Sequence, residues 1–285
     1  SRLLLSNHRF CHENDERTGS IPRHGNQQVF QINMINRILA VLMFFTRLPF
    51  WRIKNVPADC FKTVVNYWPL VGWLTGGVAA FVLWGCNSLF SMPIAVIFAF
   101  GSRILLTGAL HEDGLSDFFD GFGGGKTKEQ TLAIMKDSRI GSYGVIGLIF
   151  YFGSLFAIVV SLPPVLACCA IIAGDPGTKS IVAQLVNMLP YARKEEESKA
   201  HVVYKQMSPS QVILTLCGIV PLLLFMDPIY WLALVAPALV FSVLVFMMKN
   251  RLQGYTGDCY GAAFLLSELS FYAAVLLIFQ QINTL

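Results

Sequence analysis

Apolar and polar positions along this chain fall into long blocks, not into the short periods of a soluble fold. Apolar stretches at residues 67–90, 92–110 and 140–162, one starting after Pro163-Pro164, then 211–226, 229–248 and a last one ending near residue 282, are each read as a helical span. The pattern predicts an all-α, polytopic integral membrane helix bundle of about seven spans. A shorter apolar segment at residues 35–50, closed by Arg47-Leu48-Pro49, suits an N-terminal interfacial or re-entrant segment. Gly72-x-x-x-Gly76 in the first span permits close approach of another helix. Arg103, deep in the second span, is expected to face protein or a polar cavity. The fourth span is expected to be interrupted at Gly174-Asp175-Pro176-Gly177-Thr178-Lys179, a polar break tolerated at membrane depth only where it lines a cavity.

Residues 34–285 read as one membrane-embedded domain. Residues 1–33 differ: they are polar, mixed in charge and hold His8, His12 and His24. They lack a signal-peptide pattern and read as a disordered extension or an expression artefact with no part in the chemistry.

Composition supports the membrane class. Of 285 residues, 55% are hydrophobic and 13% charged, where soluble domains carry about 25% charged residues. The mean hydropathy is +0.58. The cysteines, at 11, 60, 86, 168, 169, 217 and 259, form no CxxC pair and no zinc spacing, so no disulfide framework is expected. Lysine and arginine gather at 52–62, 123–139, 191–205 and 249–251, whereas the connections at 91–93, 162–164 and 227–228 have none. The positive-inside rule then puts the N-terminus and every basic loop in the cytoplasm. That gathers the acidic stretch after residue 110, Asp137, the loop after Tyr191 and Asp258 at one membrane face.

The chemistry centres on Leu110-His111-Glu112-Asp113-Gly114-Leu115-Ser116-Asp117-Phe118-Phe119-Asp120-Gly121. Asp113, Asp117 and Asp120 stand at i, i+4 and i+7, one face of a helix. Three carboxylates so placed repel one another unless a cation lies between them, and oxygen-only ligands suit Mg²⁺ carrying substrate phosphates. The plain alternative is a solvated acidic helix end. Arg139, in Met135-Lys136-Asp137-Ser138-Arg139, reads equally as a bidentate phosphate ligand or as a helix-terminal interface arginine. His111 reads as a general base, a phosphate donor or a hydrogen-bonded structural histidine. Glu268, inside an apolar helix, fits a polar network better than a metal site. Gly123-Gly124-Gly125-Lys126 lacks the ending of a P-loop, and no nucleic-acid partner is expected.

Thr46-Arg47-Leu48-Pro49, Pro69-Leu70-x-Gly72, His111-x-Asp113-Gly114-Leu115-x-Asp117-x-x-Asp120-Gly121, Met135-Lys136-Asp137-Ser138-Arg139-x-Gly141, Tyr191-Ala192-Arg193 and Thr256-Gly257-Asp258-x-x-Gly261-Ala262 occur in that order. Together they resemble the cobalamin synthase family, the adenosylcobinamide-GDP ribazoletransferases of prokaryotes, from residue 34 to the C-terminus. The resemblance implies a Mg²⁺-dependent enzyme of the prokaryotic cytoplasmic (inner) membrane. Such an enzyme joins adenosylcobinamide-GDP to α-ribazole or its 5′-phosphate and releases GMP. It implies Asp113, Asp117, Asp120 and Asp258 as metal ligands, His111 beside those aspartates in catalysis, and Arg47, Asp137, Arg139 and Arg193 around the diphosphate. Membrane lipid is an implied partner, and a homo-oligomer is left open. This chain departs from the family at Asp175-Pro176, where a Ser-Arg pair is usual and Lys179 is a candidate substitute, and at Leu265, where a glutamate is usual. A CDP-alcohol phosphatidyltransferase is the alternative enzyme, although its Ala-Arg pair is missing here. A cation-binding transporter is the alternative from another class, although no internal repeat accompanies it.

Overall fold

The structure, a computed structural model, describes residues 33–193 and 203–284. Residues 1–32 of the expected extension at 1–33, with His8, His12 and His24, and most of the charged run after Arg193 lie outside the described residues.

The described chain is helical throughout, its one β-type contact being an isolated bridge between Tyr191 and Tyr255. In order the α-helices are α1 (Met34–Phe45), α2 (Trp68–Asn87), α3 (Met92–Thr107), α4 (Leu110–Gly124), α5 (Lys128–Lys136), α6 (Ser142–Val160), α7 (Pro164–Val182), α8 (Leu185–Met188), α9 (Pro209–Thr215), α10 (Val220–Phe225), α11 (Val235–Leu252) and α12 (Gly257–Thr284). Short 3-10 turns lead into α2 and α11 and join α9 to α10. Five helical stretches are long and apolar enough to cross a membrane, and α3 with α4, bent by 90°, makes a sixth if counted as one broken span. The fifth expected span, at 211–226, falls on a shorter apolar stretch, Pro209–Phe225, broken by its 3-10 turn. The chain is a multi-pass membrane protein.

α2 and α7 form the tightest pair. Gly72 and Gly76 face α7 so closely that a Cβ on Gly72 would lie 2.5 Å from Pro176 Cα, and one on Gly76 2.9 Å from the carbonyl oxygen of Ile171. Small residues are needed wherever two helix backbones meet at that distance. α12 lies at the centre, against α4, α6, α7 and α11, and buries Phe264, Leu265, Phe271 and Tyr272.

The expected interruption of the fourth span is absent: α7 runs unbroken through Gly174–Lys179 with Pro176 inside it. Its charged groups are satisfied by side chains. Asp175 and Lys179, one turn apart and wholly buried, pair with each other. The Thr75 hydroxyl of α2 donates to Asp175 at 2.8 Å and accepts from Lys179 at 3.0 Å. Arg103 completes the cluster, donating to both oxygens of Glu268 at 2.6 and 2.7 Å and lying 3.8 Å from Asp175. The Tyr272 hydroxyl donates to Glu268 at 2.8 Å. Two cations and two anions thus cancel inside the bundle, where an unpaired charge costs several kcal/mol. Arg103 faces protein, and Glu268 sits in a polar network, as their sequence positions predict.

Candidate active site

The acidic stretch is carried by α4, whose direction is set by a sharp turn. Gly108 and Ala109 are both left-handed (φ 69° and 58°), and they swing the chain through 90° between α3 and α4. Arg47 packs its aliphatic stem on Gly108, and its amide donates to Leu106 O at 2.8 Å. Three glycines then let other backbones reach α4. A Cβ on Gly114 would lie 3.0 Å from the Asp258 backbone, and one on Gly261 2.8 Å from the His111 carbonyl oxygen. Gly121 rests on Met135 of α5.

A cleft of about 470 Å³ opens along α4. Glu112, Asp113, Ser116 and Asp117 line one side, and Asp137, Ser138, Arg139 and Ile140 line the other. Ile104, Leu148 and Phe152 form an apolar wall. Two motifs separated by some twenty residues therefore face each other across one space. Arg139 forks onto Asp137, donating from Nη2 at 2.7 Å and from Nε at 3.1 Å, and its side chain is 87% exposed at the cleft's edge. The guanidinium holds the Asp137 carboxyl down at about 2 and is itself raised in return.

The remaining expected site residues are placed differently. Asp120 lies on the same helix but does not line the cleft. Its carboxylate accepts from the amides of Gly141, at 2.7 Å, and Gly144, at 2.8 Å, capping the start of α6. His111 is buried beside Phe45 and Trp68, its ring near-parallel to both, with Phe264 edge-on, and its Nε2 has no partner. Asp258 reaches α4 through its backbone at Gly114, one residue from Asp113, and does not line the cleft. Arg193 donates to the Leu132 carbonyl at 3.1 Å on α5, away from the cleft. Arg47 is exposed beside the bend. Lys179, the candidate stand-in for a phosphate contact, is spent on Asp175 and Thr75. Among the described residues no set of three or more His, Cys, Asp or Glu side chains is already gathered at metal-binding distance.

Two further links unite sequence motifs. Tyr255 N donates to Pro190 O at 2.9 Å and Ala192 N to Tyr255 O at 2.8 Å, joining the Tyr191-Ala192-Arg193 loop to the turn before Asp258. Among the cleft residues, the sequence reading gave no role to Glu112, Ser116, Ile104, Leu148 or Phe152. For Glu112 and Ser116 a signal was present: they stand at i, i+4 beside Asp113 and Asp117 on the same helical stripe. For the apolar wall there was none, because nothing distinguishes those residues from lipid-facing ones.

Residues 37–276 match the family model described as cobalamin-5-phosphate synthase. Proteins named adenosylcobinamide-GDP ribazoletransferase from Shewanella sp. strain W3-18-1 and Shewanella putrefaciens strain CN-32 are each 34% identical over 248 residues, 86% of this chain and 95% of theirs. The protein of that name from Shewanella baltica strain OS185 is 33% identical over the same shares. No solved structure matches the chain. With the family model covering the whole helical bundle up to α12, and relatives aligned over nearly their full length, the chain belongs to the cobalamin-5-phosphate synthase family.

Proposed function

We propose that this chain is an adenosylcobinamide-GDP ribazoletransferase. It joins adenosylcobinamide-GDP to α-ribazole, or to α-ribazole 5′-phosphate, and releases GMP. The observation that carries the reading is the cleft in which Asp113 and Asp117 of α4 face Asp137 and Arg139 of the next loop. A free ribose hydroxyl of the acceptor, one that α-ribazole and its 5′-phosphate both carry, forms a bond to the phosphorus attached to cobinamide. The bond from that phosphorus to the oxygen of GMP breaks, and the hydroxyl proton is given up as the new ester forms.

Mg²⁺ fits the cleft by donor chemistry: its acidic side offers carboxylate and hydroxyl oxygens only, the set a hard cation takes. Asp113 and Asp117 would hold it, with Asp258 beside them at Gly114. When bound, the ion supplies charge neutralisation for the diphosphate and for departing GMP. Arg139 stands where it can swing from Asp137 to a phosphate oxygen, which it would grip through the same fork. The apolar wall of Ile104, Leu148 and Phe152 keeps water from that side of the reacting phosphorus.

The membrane is the prokaryotic cytoplasmic one, with the cleft on the cytoplasmic side. The basic loops at 52–62 and 123–139 support this, and exposed Phe81, Trp84, Phe150, Leu224 and Phe246 suit lipid contact. Purified protein with Mg²⁺ is expected to release GMP from adenosylcobinamide-GDP only when α-ribazole or its phosphate is supplied. Asp117→Asn should stop release without loss of fold. Product from a CDP-alcohol, or ion flux in vesicles with no nucleotide product, would overturn the reading.

A further inference from the structure

Glu112 is the one carboxylate of the acidic stretch with a buried oxygen left unsatisfied. The residue is 5% exposed, lines the cleft beside Asp113, Ser116 and Asp117, and its Oε2 is buried without a hydrogen-bond partner. A carboxylate oxygen withdrawn from water and given no donor costs several kcal/mol, so it marks a place where something is meant to bind. The neighbouring cations are engaged elsewhere. Arg103 is committed to Glu268, and Lys179 to Asp175 and Thr75. Asp120, the residue that helical spacing pairs with Asp113 and Asp117, has both oxygens on the amides of Gly141 and Gly144.

We propose that Glu112 is a direct ligand of the divalent ion in this cleft, acting with Asp113 and Asp117, and that Asp120 instead ties α4 to the start of α6. The inference rests on the metal reading given above. Glu112 and Ser116 lie one turn apart, as do Asp113 and Asp117, so the four side chains form a double row along α4. An ion over that row meets three carboxylates from a single turn and a half of helix. The oxygen of Glu112 that has no protein donor gains a cation as its partner.

The test uses Mn²⁺, visible by electron paramagnetic resonance, with the purified full chain in detergent and no substrate. Wild-type protein is expected to bind Mn²⁺, and Glu112→Gln to weaken that binding about tenfold or more at unchanged helicity. Asp120→Asn is expected to keep the ion affinity of the folded protein within about twofold while lowering its thermal midpoint. Infrared difference spectra of the wild type, with and without Mg²⁺, provide a measurement that needs no variant. A carboxylate band that shifts on ¹³C-glutamate labelling is expected, and bands from aspartate alone would overturn the inference. Equal Mn²⁺ affinity in wild type and Glu112→Gln would overturn it too, leaving the parent metal reading intact. A wild-type chain that binds no Mn²⁺ would overturn both.

Discussion

Asp120→Ala isolates what the last aspartate of the acidic stretch does. Its two oxygens take the amides of Gly141 and Gly144, the donors at the start of α6 that no intrahelical carbonyl can reach. A hydrogen bond to a charged group contributes about 1.5–3 kcal/mol, and removing a helix cap costs about 0.5–2 kcal/mol. The Gly144 amide is buried, whereas Gly141 reaches water in part, so the full sum does not apply. A loss of about 2–4 kcal/mol follows, which lowers the thermal midpoint by roughly 5–15 °C on the scale of domains this size. The assay is thermal unfolding in detergent, followed by a thiol-reactive dye that reports release of buried Cys60 and Cys259. Asp120→Asn keeps one acceptor oxygen and should lose about half as much. Hydrogen exchange should show the amides of Gly141 and Gly144 losing protection first. A midpoint within about a degree of wild type, with divalent-ion binding abolished, would refute the capping role and return Asp120 to the metal.

Other perturbations bear on the packing and charge described above. Gly72→Leu drives a side chain into the backbone of Pro176 and should cost about 1–3 kcal/mol or more, whereas Gly77→Leu, which meets nothing within 4 Å, should be nearly neutral; thermal midpoints of the two separate them. Arg103→Leu leaves Glu268 buried without its cation and should cost about 3–5 kcal/mol, while the double change Arg103→Leu/Glu268→Leu should recover much of that in the same assay. The Asp137 carboxyl, held at about 2 against an ordinary value of 3.8, gives its full stabilisation above that ordinary value and loses it as pH falls through about 2. Arg139→Leu should therefore move its titration up toward 3.8, read as a ¹³C-aspartate band missing from Asp137→Asn.

The bundle was legible in the sequence because lipid demands long apolar helices, and that demand is written in hydropathy alone. Gly72 and Gly76 announced a close contact, and the structure supplies its partner, the α7 backbone at Ile171 and Pro176. The convergence of the aspartate motif with Asp137 and Arg139 was readable from loop charge. Two things were not. The polar run Gly174–Lys179 looked like a break because sequence shows polarity but not pairing; Thr75, a hundred residues away, completes the cluster that lets the helix continue. Helical spacing put Asp113, Asp117 and Asp120 on one face but gave no means of knowing that the start of α6 lies at the far end of that face. A carboxylate facing unsatisfied amides caps them, whatever its register with its neighbours.

The position of the cleft follows from what holds α4 at its two ends. At the near end, Arg103 is locked to Glu268 of α12 just over one turn before the left-handed pair Gly108-Ala109, so the bend starts from a fixed point. At the far end, Asp120 ties α4 to the start of α6. Between these anchors, Gly114 and Gly261 press α4 onto α12. The stripe from Glu112 to Asp117 lies inside this clamp and lines the cleft. Like-charged side chains in such a row would splay apart on a free helix. Here the backbone beneath them is held at both ends and pressed onto α12 between them, so a cation of the kind proposed above would relieve their repulsion within the cleft. The buried charge network and the helix cap thus bear on the cleft from a distance, by fixing the helix that carries its acids.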